Sequence, residues 1–169
     1  MTVLVLTGSA RSGSFTRALG AQIADATGGS LATGLTELPY FDQDLEATPP
    51  AVVEELRAQV AAADALVVVT PEYNGTISGL LGNAIDWLSR PYAGGPSVLR
   101  DKPTVAVAAS PGPVGGVRAL VSLRTVLGNA GVELLDTTLS VGEVHTQLAD
   151  DGLQLDELVA ALTPARQAA

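Results

Sequence analysis

The chain has 169 residues, and its 47% hydrophobic content is enough to build the core of one domain spanning residues 1–169. Its net charge of −9 argues against nucleic acid or an anionic membrane as the main partner, because both would repel an acidic surface. With no cysteine and with His145 as the single histidine, the chain has no disulfide, no thiolate metal site and no cluster of histidine ligands.

Short apolar runs rich in Val and Leu recur along the chain, and each ends at Gly, Pro or Ser before it is long enough for a helix. With two weaker runs they predict five strands, at residues 3–6, 31–38, 65–69, 104–109 and 133–139. Segments with helical spacing predict helices at residues 17–26, 52–62, 80–88, 117–130 and 153–162. We expect residues 150–152 to open the last helix and the tail at 165–169 to be frayed.

The alternation of strands and helices predicts a parallel sheet with helices on both faces. Five strands in the order 2-1-3-4-5 make a flavodoxin-like α/β sandwich of three layers. In such a sheet the ligand lies where the winding reverses, beside the carboxyl ends of strands one and three. The amino terminus lacks the basic flank of a signal peptide, and no stretch approaches the ~20 apolar residues that cross a bilayer. We therefore expect a cytoplasmic enzyme with small-molecule ligands.

The loop after the first strand, residues 8–16, has the composition of an anion cradle. Three serines and a threonine offer hydroxyl donors, and the start of the next helix presents free N–H groups. Arg11 can pair with a phosphate through a two-pronged contact. The loop lacks the lysine of a Walker loop and the G-x-G-x-x-G spacing of a pyrophosphate clamp, so a phosphate monoester such as that of FMN suits it better. The alternative is a turn that only caps a helix, with Arg11 as a solvated charge.

The loop after the third strand, residues 70–79, suits a flat heterocycle. Pro71 fixes one backbone turn, Tyr73 offers an aromatic face or edge, and Asn74 can both donate and accept a hydrogen bond. Successive N–H groups there can bond the pyrimidine oxygens of a flavin. Glu72 has a structural alternative, in which it accepts backbone hydrogen bonds or faces a partner subunit.

The loop after the fourth strand, residues 110–116, lies at the same edge of the predicted sheet. Its glycines allow the backbone to approach a planar ring closely. Arg118 and Arg124 follow on the next helix, where they either attract the phosphates of a dinucleotide or pair with surface acids.

Three further residues have plainer interpretations. Trp87 and Leu88 form a bulky apolar pair, which is more typical of a core or a subunit interface than of a cofactor contact. His145 has no accompanying nucleophile or triad pattern, so we expect no catalytic role for it. Flavin chemistry does not require one, because the flavin itself accepts the hydride.

At these three loops the chain resembles the NADPH-dependent FMN reductase family, which includes bacterial quinone and chromate reductases and some azoreductases. The resemblance covers nearly the whole chain. It is carried by the motifs at residues 8–14, 71–74 with 83–90, and 110–116 with Arg118 and residues 123–124.

The resemblance implies FMN as the cofactor, NADPH or NADH as the electron donor, and no catalytic side chain of the protein's own. It implies that the FMN phosphate is held by Ser9, Arg11, Ser14, Phe15 and Thr16. The flavin ring would be lined by Pro71, Glu72, Tyr73, Asn74 and Gly75, and closed on its far side by Ser110 and Gly112. A homodimer or homotetramer with the flavin near the subunit boundary is also implied.

Two residues depart from the family pattern. Ser78 stands where the family usually has proline, and Gly82 stands where it usually has lysine. Losing the proline should loosen the ring-facing loop, and losing the lysine removes a positive charge near the interface. These departures bear on FMN affinity and on oligomeric state.

Three hypotheses follow. The first is an NAD(P)H-dependent reductase whose acceptor is a quinone, free flavin, azo compound or oxidised metal ion such as chromate. The second is a flavodoxin-type electron carrier without a substrate of its own, which the acidity fits, although a flavodoxin phosphate loop has no arginine. The third is a weak flavin binder that serves as an interaction module.

Overall fold

The computed structural model describes residues 1–149 and 153–162. Its strands are β1 Val3–Thr7, β2 Ser30–Leu31, β3 Ala65–Pro71, β4 Pro103–Ala109 and β5 Glu133–Val141. Its helices are α1 Phe15–Thr27, α2 Ala51–Ala62, α3 Gly79–Leu88, α4 Val117–Asn129, α5 Val144–Ala149 and α6 Asp156–Leu162. Two short 3-10 turns, Leu35–Glu37 and Gln43–Leu45, lie between β2 and α2.

The five strands form one parallel sheet in the order β2-β1-β3-β4-β5, which confirms the predicted flavodoxin-like topology. Successive residues of a strand point to opposite faces, so each central strand supplies two apolar layers. One layer packs against α2, α3 and α4, and the other packs against α1, α5 and α6. Because both faces are covered, the central strands are apolar at nearly every position.

Helix α1 shows how local sequence places the loop before it. Ser14 caps the helix by accepting a hydrogen bond from the Arg17 N–H, and Gly28 ends it in the left-handed conformation. Leu19 and Ile23, four residues apart, are fully buried against the sheet. The cap and this apolar stripe together fix the position of the first turn at the edge of the sheet.

The second strand is shorter than predicted. The sequence pattern predicts a strand at residues 31–38, whereas β2 covers only Ser30–Leu31. Gly34 has a φ of 85°, which turns the chain away from the sheet, and the 3-10 turn Leu35–Glu37 follows at once. Leu35 is buried in the core from this turn rather than from a strand.

The carboxyl-terminal part differs from the prediction in two ways. Helix α5 was not expected, and it begins directly after a turn in which Glu143 has a φ of 46°. Helix α6 begins at Asp156, three residues after the predicted start at residue 153. The predicted opening signal at residues 150–152 and the tail at 165–169 lie outside the described residues.

Candidate functional site

A cleft lies at the carboxyl edge of the sheet, between the loops that follow β1, β3 and β4 and the start of α5. We call it the flavin pocket, after the ligand that the sequence predicts for it. Nine of the twelve predicted site residues line it, namely Ser9, Arg11, Ser14, Phe15, Thr16, Pro71, Glu72, Tyr73 and Ser110. The other three, Asn74, Gly75 and Gly112, belong to the same loops but are not among its lining residues. The topology thus brings together three segments that are separated by up to a hundred residues in sequence.

The loop after β1 forms a wall of hydrogen-bond donors. Ser9 and Thr16 are buried, with 8% and 3% of their surfaces exposed, and the Ser9 hydroxyl accepts the Arg11 N–H at 3.3 Å. The Ser14 and Thr16 hydroxyls lie 2.9 Å apart. These hydrogen bonds, with that from the Arg17 N–H to Ser14, connect the side chains of the loop to the start of α1.

Several donors of this loop lack a protein acceptor. Within the described part of the chain, the backbone N–H groups of residues 12–16 donate to no other group, although they sit at the amino end of α1. The Arg11 guanidinium likewise has no acidic partner among the described residues, and it lies 5.9 Å from the centre of the Phe15 ring. Such a set of unpaired donors at a helix start fits the phosphate of FMN.

The loop after β3 presents Tyr73 at the mouth of the pocket. The backbones of Tyr73 and Thr76 exchange two hydrogen bonds of 3.1 Å around a tight turn. Asn74 and Gly75 are the central residues of that turn, with φ angles of 53° and 75°. The Asn-Gly pair is the sequence signature of such a turn, and it leaves the Tyr73 side chain half exposed.

Glu72 connects this loop to helix α4. Arg118 donates to Glu72 Oε1 from Nε at 3.1 Å and from Nη2 at 2.9 Å, and the Ala119 N–H donates to Oε2 at 3.3 Å. Both the structural alternative for Glu72 and the surface pairing considered for Arg118 therefore occur here. Arg124 donates to the backbone carbonyl of Leu135 instead of facing the pocket.

The far side of the pocket includes three residues that were not among the predicted site residues, namely Ala109, Pro111 and Val144. Ala109 and Pro111 flank the predicted Ser110, so the motif itself could have pointed to them. Val144 opens the unpredicted helix α5, and its N–H donates to the Ser110 carbonyl at 3.2 Å. No local motif marks Val144, because only the packing of α5 brings it to this edge.

His145 is exposed and packs against the pocket from outside. Its ring centre lies 6.0 Å from that of Phe15. Trp87 and Leu88 are buried in the core, as their plainer interpretation predicted, and Trp87 Nε1 donates to the Pro39 carbonyl at 2.9 Å.

The two departures from the family pattern have clear structural settings. Ser78 is buried and caps α3, because its hydroxyl accepts the Leu81 N–H at 3.3 Å. A Cβ atom at Gly82 would meet no atom within 4 Å, so this position lies against open space. The serine anchors the end of the ring-facing loop in a way that a proline at the same position could not.

The sheet order is that of the flavodoxin-like class of α/β proteins, and the donor wall at its carboxyl edge fits the phosphate of FMN. The model of the NADPH-dependent FMN reductase family matches residues 1–146. The chain belongs to this family, which confirms the predicted resemblance, the dependence on FMN and NAD(P)H, and the oxidoreductase class.

Relatives and solved structures agree with this assignment. A quinone reductase of Pseudomonas putida is 39% identical over 130 residues, covering 75% of this chain and 69% of the relative. A 2-hydroxy-1,4-benzoquinone reductase of a Burkholderia species is 34% identical over 139 residues, covering 80% and 75%. FerB, a flavoenzyme NAD(P)H:acceptor oxidoreductase from Paracoccus denitrificans, is 29% identical with a TM-score of 0.79, covering 98% and 93%.

A mutant flavodoxin of Pseudomonas aeruginosa shares the fold, with a TM-score of 0.61 at 20% identity over 96% of this chain and 99% of that one. None of the helices in the described ranges is both long enough and apolar enough to cross a bilayer.

Proposed function

We propose that the protein is an NAD(P)H-dependent quinone reductase that holds FMN in the flavin pocket, as one domain spanning residues 1–169. The observation that carries the proposal is the wall of unpaired donors after β1, which faces the same cleft as Tyr73. A phosphate at one end and a planar ring at the other would satisfy both features together.

Each part of the pocket has a role in this proposal. FMN, when bound, supplies hydride acceptance and electron delivery, so the protein's task is to bind and orient it. The phosphate end is assigned to Ser9, Arg11, Ser14, Phe15 and Thr16. The ring end is assigned to Pro71, Glu72 and Tyr73 on one side and to Ser110 on the other. Asn74, Gly75 and Gly112 are assigned to the same two loops, which they shape without lining the pocket.

A quinone suits the mouth of the pocket better than an oxyanion does. Tyr73, which lines the pocket, is 50% exposed, and Val114 on the loop after β4 is 69% exposed. The carboxyl edge of the sheet therefore offers apolar surface to a flat, uncharged acceptor. The net charge of −9 repels anions such as chromate at long range. The quinone acceptors named for the Pseudomonas putida and Burkholderia relatives support the same choice.

The assembly and location form part of the same proposal. Val117 and Val121, four residues apart on α4, are 44% and 62% exposed, and this apolar stripe supports a homodimer or homotetramer. Dependence on NAD(P)H supports a cytoplasmic location. Light scattering of the purified protein tests the assembly, since a monomer at working concentration would contradict it.

The visible absorbance of the FMN-reconstituted protein tests the activity. We expect anaerobic NADPH to bleach the bound flavin band and 1,4-benzoquinone to restore it at once, whereas chromate restores it slowly. A bound flavin that neither NADPH nor NADH bleaches would favour the flavodoxin-type carrier. Absence of any bound flavin would favour the weak binder and contradict the proposal.

A further inference from the structure

A second polar cavity lies beside the flavin pocket, and the two share Ser9 in their common wall. We call it the side pocket. It opens on the β2 side of β1, whereas Tyr73 lies on the β3 side. Its volume is ≈ 240 Å³, compared with ≈ 110 Å³ for the flavin pocket. Its polar lining residues are Thr7, Ser9, Arg17, Thr33, Thr36 and Glu37.

The polar groups of the side pocket are largely unpaired. Arg17 in the first turn of α1 and Glu37 in the 3-10 turn both line it. Both are exposed to solvent, and neither forms an ion pair with any residue in the described ranges. The hydroxyls of Thr7 and Thr36, which also line the side pocket, have no hydrogen-bond partner among the described residues. One cation, one carboxylate and two hydroxyls therefore face the same space.

This combination matches a phosphorylated ribose. A guanidinium binds a phosphate, and a carboxylate accepts hydrogen bonds from the two neighbouring hydroxyls of a ribose. In dinucleotide-binding α/β folds, an acidic residue beyond the end of the second strand makes that ribose contact. Glu37 occupies the corresponding region, six residues after the end of β2.

We propose that the side pocket holds the ribose and outer phosphate of the adenylate half of FAD, so that the protein accepts FAD as well as FMN. The loop after β1 lacks the glycine spacing that holds both phosphates of a dinucleotide, so it would hold only the inner phosphate of FAD, in the place of the FMN phosphate. The outer phosphate would lie past Ser9 and be held by Arg17 in the side pocket. The inference rests on the proposed function, because it uses the same phosphate site.

Titration of the apoprotein with FMN and with FAD, followed by quenching of flavin fluorescence, tests the proposal. We expect the Kd for FAD to lie within about tenfold of that for FMN. Arg17→Ala should weaken FAD binding about tenfold or more, because one charge-assisted contact is lost. Glu37→Gln should weaken it by several-fold, and both variants should change FMN affinity by less than about twofold.

Arg100→Ala is the matched control, because Arg100 is an exposed arginine just before β4. It lies near the amino ends of the strands, whereas both pockets lie near their carboxyl ends. This variant should leave both affinities unchanged. Binding of FMN without FAD would overturn the side-pocket proposal and leave the proposed function standing, whereas failure of both flavins would overturn both. If Arg17→Ala and Glu37→Gln lowered the affinities for FMN and FAD equally, that result would also overturn the side-pocket proposal. A protein that binds 5′-AMP in the presence of FMN but does not bind FAD would overturn it as well, since the side pocket would then serve a free nucleotide.

Discussion

Arg11 is an exposed arginine that lines the flavin pocket without an acidic partner among the described residues. The chain has 18 acidic and nine basic residues, and the loop that carries Arg11, residues 8–16, contains no acidic residue. Its neighbours are the Phe15 ring and the hydroxyls of the same loop. The local sequence keeps acids away from this guanidinium, which leaves it free for an anionic ligand.

Replacing Arg11 should weaken FMN binding without removing it. We expect Arg11→Ala to cost about 1.5–3 kcal/mol, because one charge-assisted contact is lost while the backbone N–H groups of the loop remain. Arg11→Lys should give a smaller loss, since it keeps the charge but not the two-pronged geometry. Isothermal titration of the apoproteins with FMN measures both. An affinity unchanged in Arg11→Ala would remove this residue from the site.

The site residues that could be predicted from the sequence are those that lie together in one loop of distinctive composition. Ser9, Arg11 and Ser14 share one hydroxyl-rich loop at a helix start, so their grouping is visible from neighbouring residues alone. Val144 was missed because it reaches the pocket only through the turn after β5. The pairing of Glu72 with Arg118 joins residues 46 apart and leaves no trace in either local pattern.

Among the elements, the loop after β3 depends on helix α4. The Glu72 carboxylate accepts hydrogen bonds from Arg118 and from the start of that helix, so the turn that presents Tyr73 is tied to a neighbouring element. At its other end the loop is connected to helix α3, because the Ser78 hydroxyl accepts a hydrogen bond from the Leu81 N–H. The ring-facing segment is therefore fixed at both ends.

Removing one of these ties should affect cofactor binding more than stability. In Arg118→Ala we expect FMN affinity to fall by a few-fold, because Glu72 loses two of its three hydrogen bonds. The free energy of unfolding should fall by less than about 1 kcal/mol, since the Arg118 side chain is 78% exposed. Fluorescence titration and urea denaturation give the two quantities. A loss of stability with no change in FMN affinity would show that the tie does not act on the site.

Elements were predictable where burial on both faces dictates the residue type. Strands β1, β3 and β4 are continuous apolar runs because helices cover both sides of them. The edge strand β2 lacks that constraint, and the Gly34 backbone ended it after two residues. Helix α5 has only six residues, too few for a periodic pattern to be distinguished from a loop.

At the scale of the whole molecule, the amino end of the sheet is held by a network around Asp64. Its carboxylate accepts the Thr2 N–H at 2.6 Å and the Thr2 hydroxyl at 3.2 Å, while the Asp64 N–H donates to the Thr2 carbonyl at 2.9 Å. These contacts join the start of β1 to the start of β3. The backbone hydrogen bond from Thr2 is the main cause that lowers the pKa of Asp64 below its usual value of 3.8.

This lowered pKa makes the network a source of acid sensitivity. A carboxyl group whose pKa is lower in the folded than in the unfolded state stabilises the fold above its unfolded pKa, and the gain is lost as pH falls through the folded pKa. We therefore expect Asp64→Asn to be less stable than the native chain at pH 6–7. The difference should shrink below about pH 4 and vanish at lower pH, where the native carboxyl is protonated in both states. Urea denaturation across this range measures the difference in the free energy of unfolding. A difference that stays constant down to pH 2 would mean that Asp64 acts through its hydrogen-bonding shape and not through its charge.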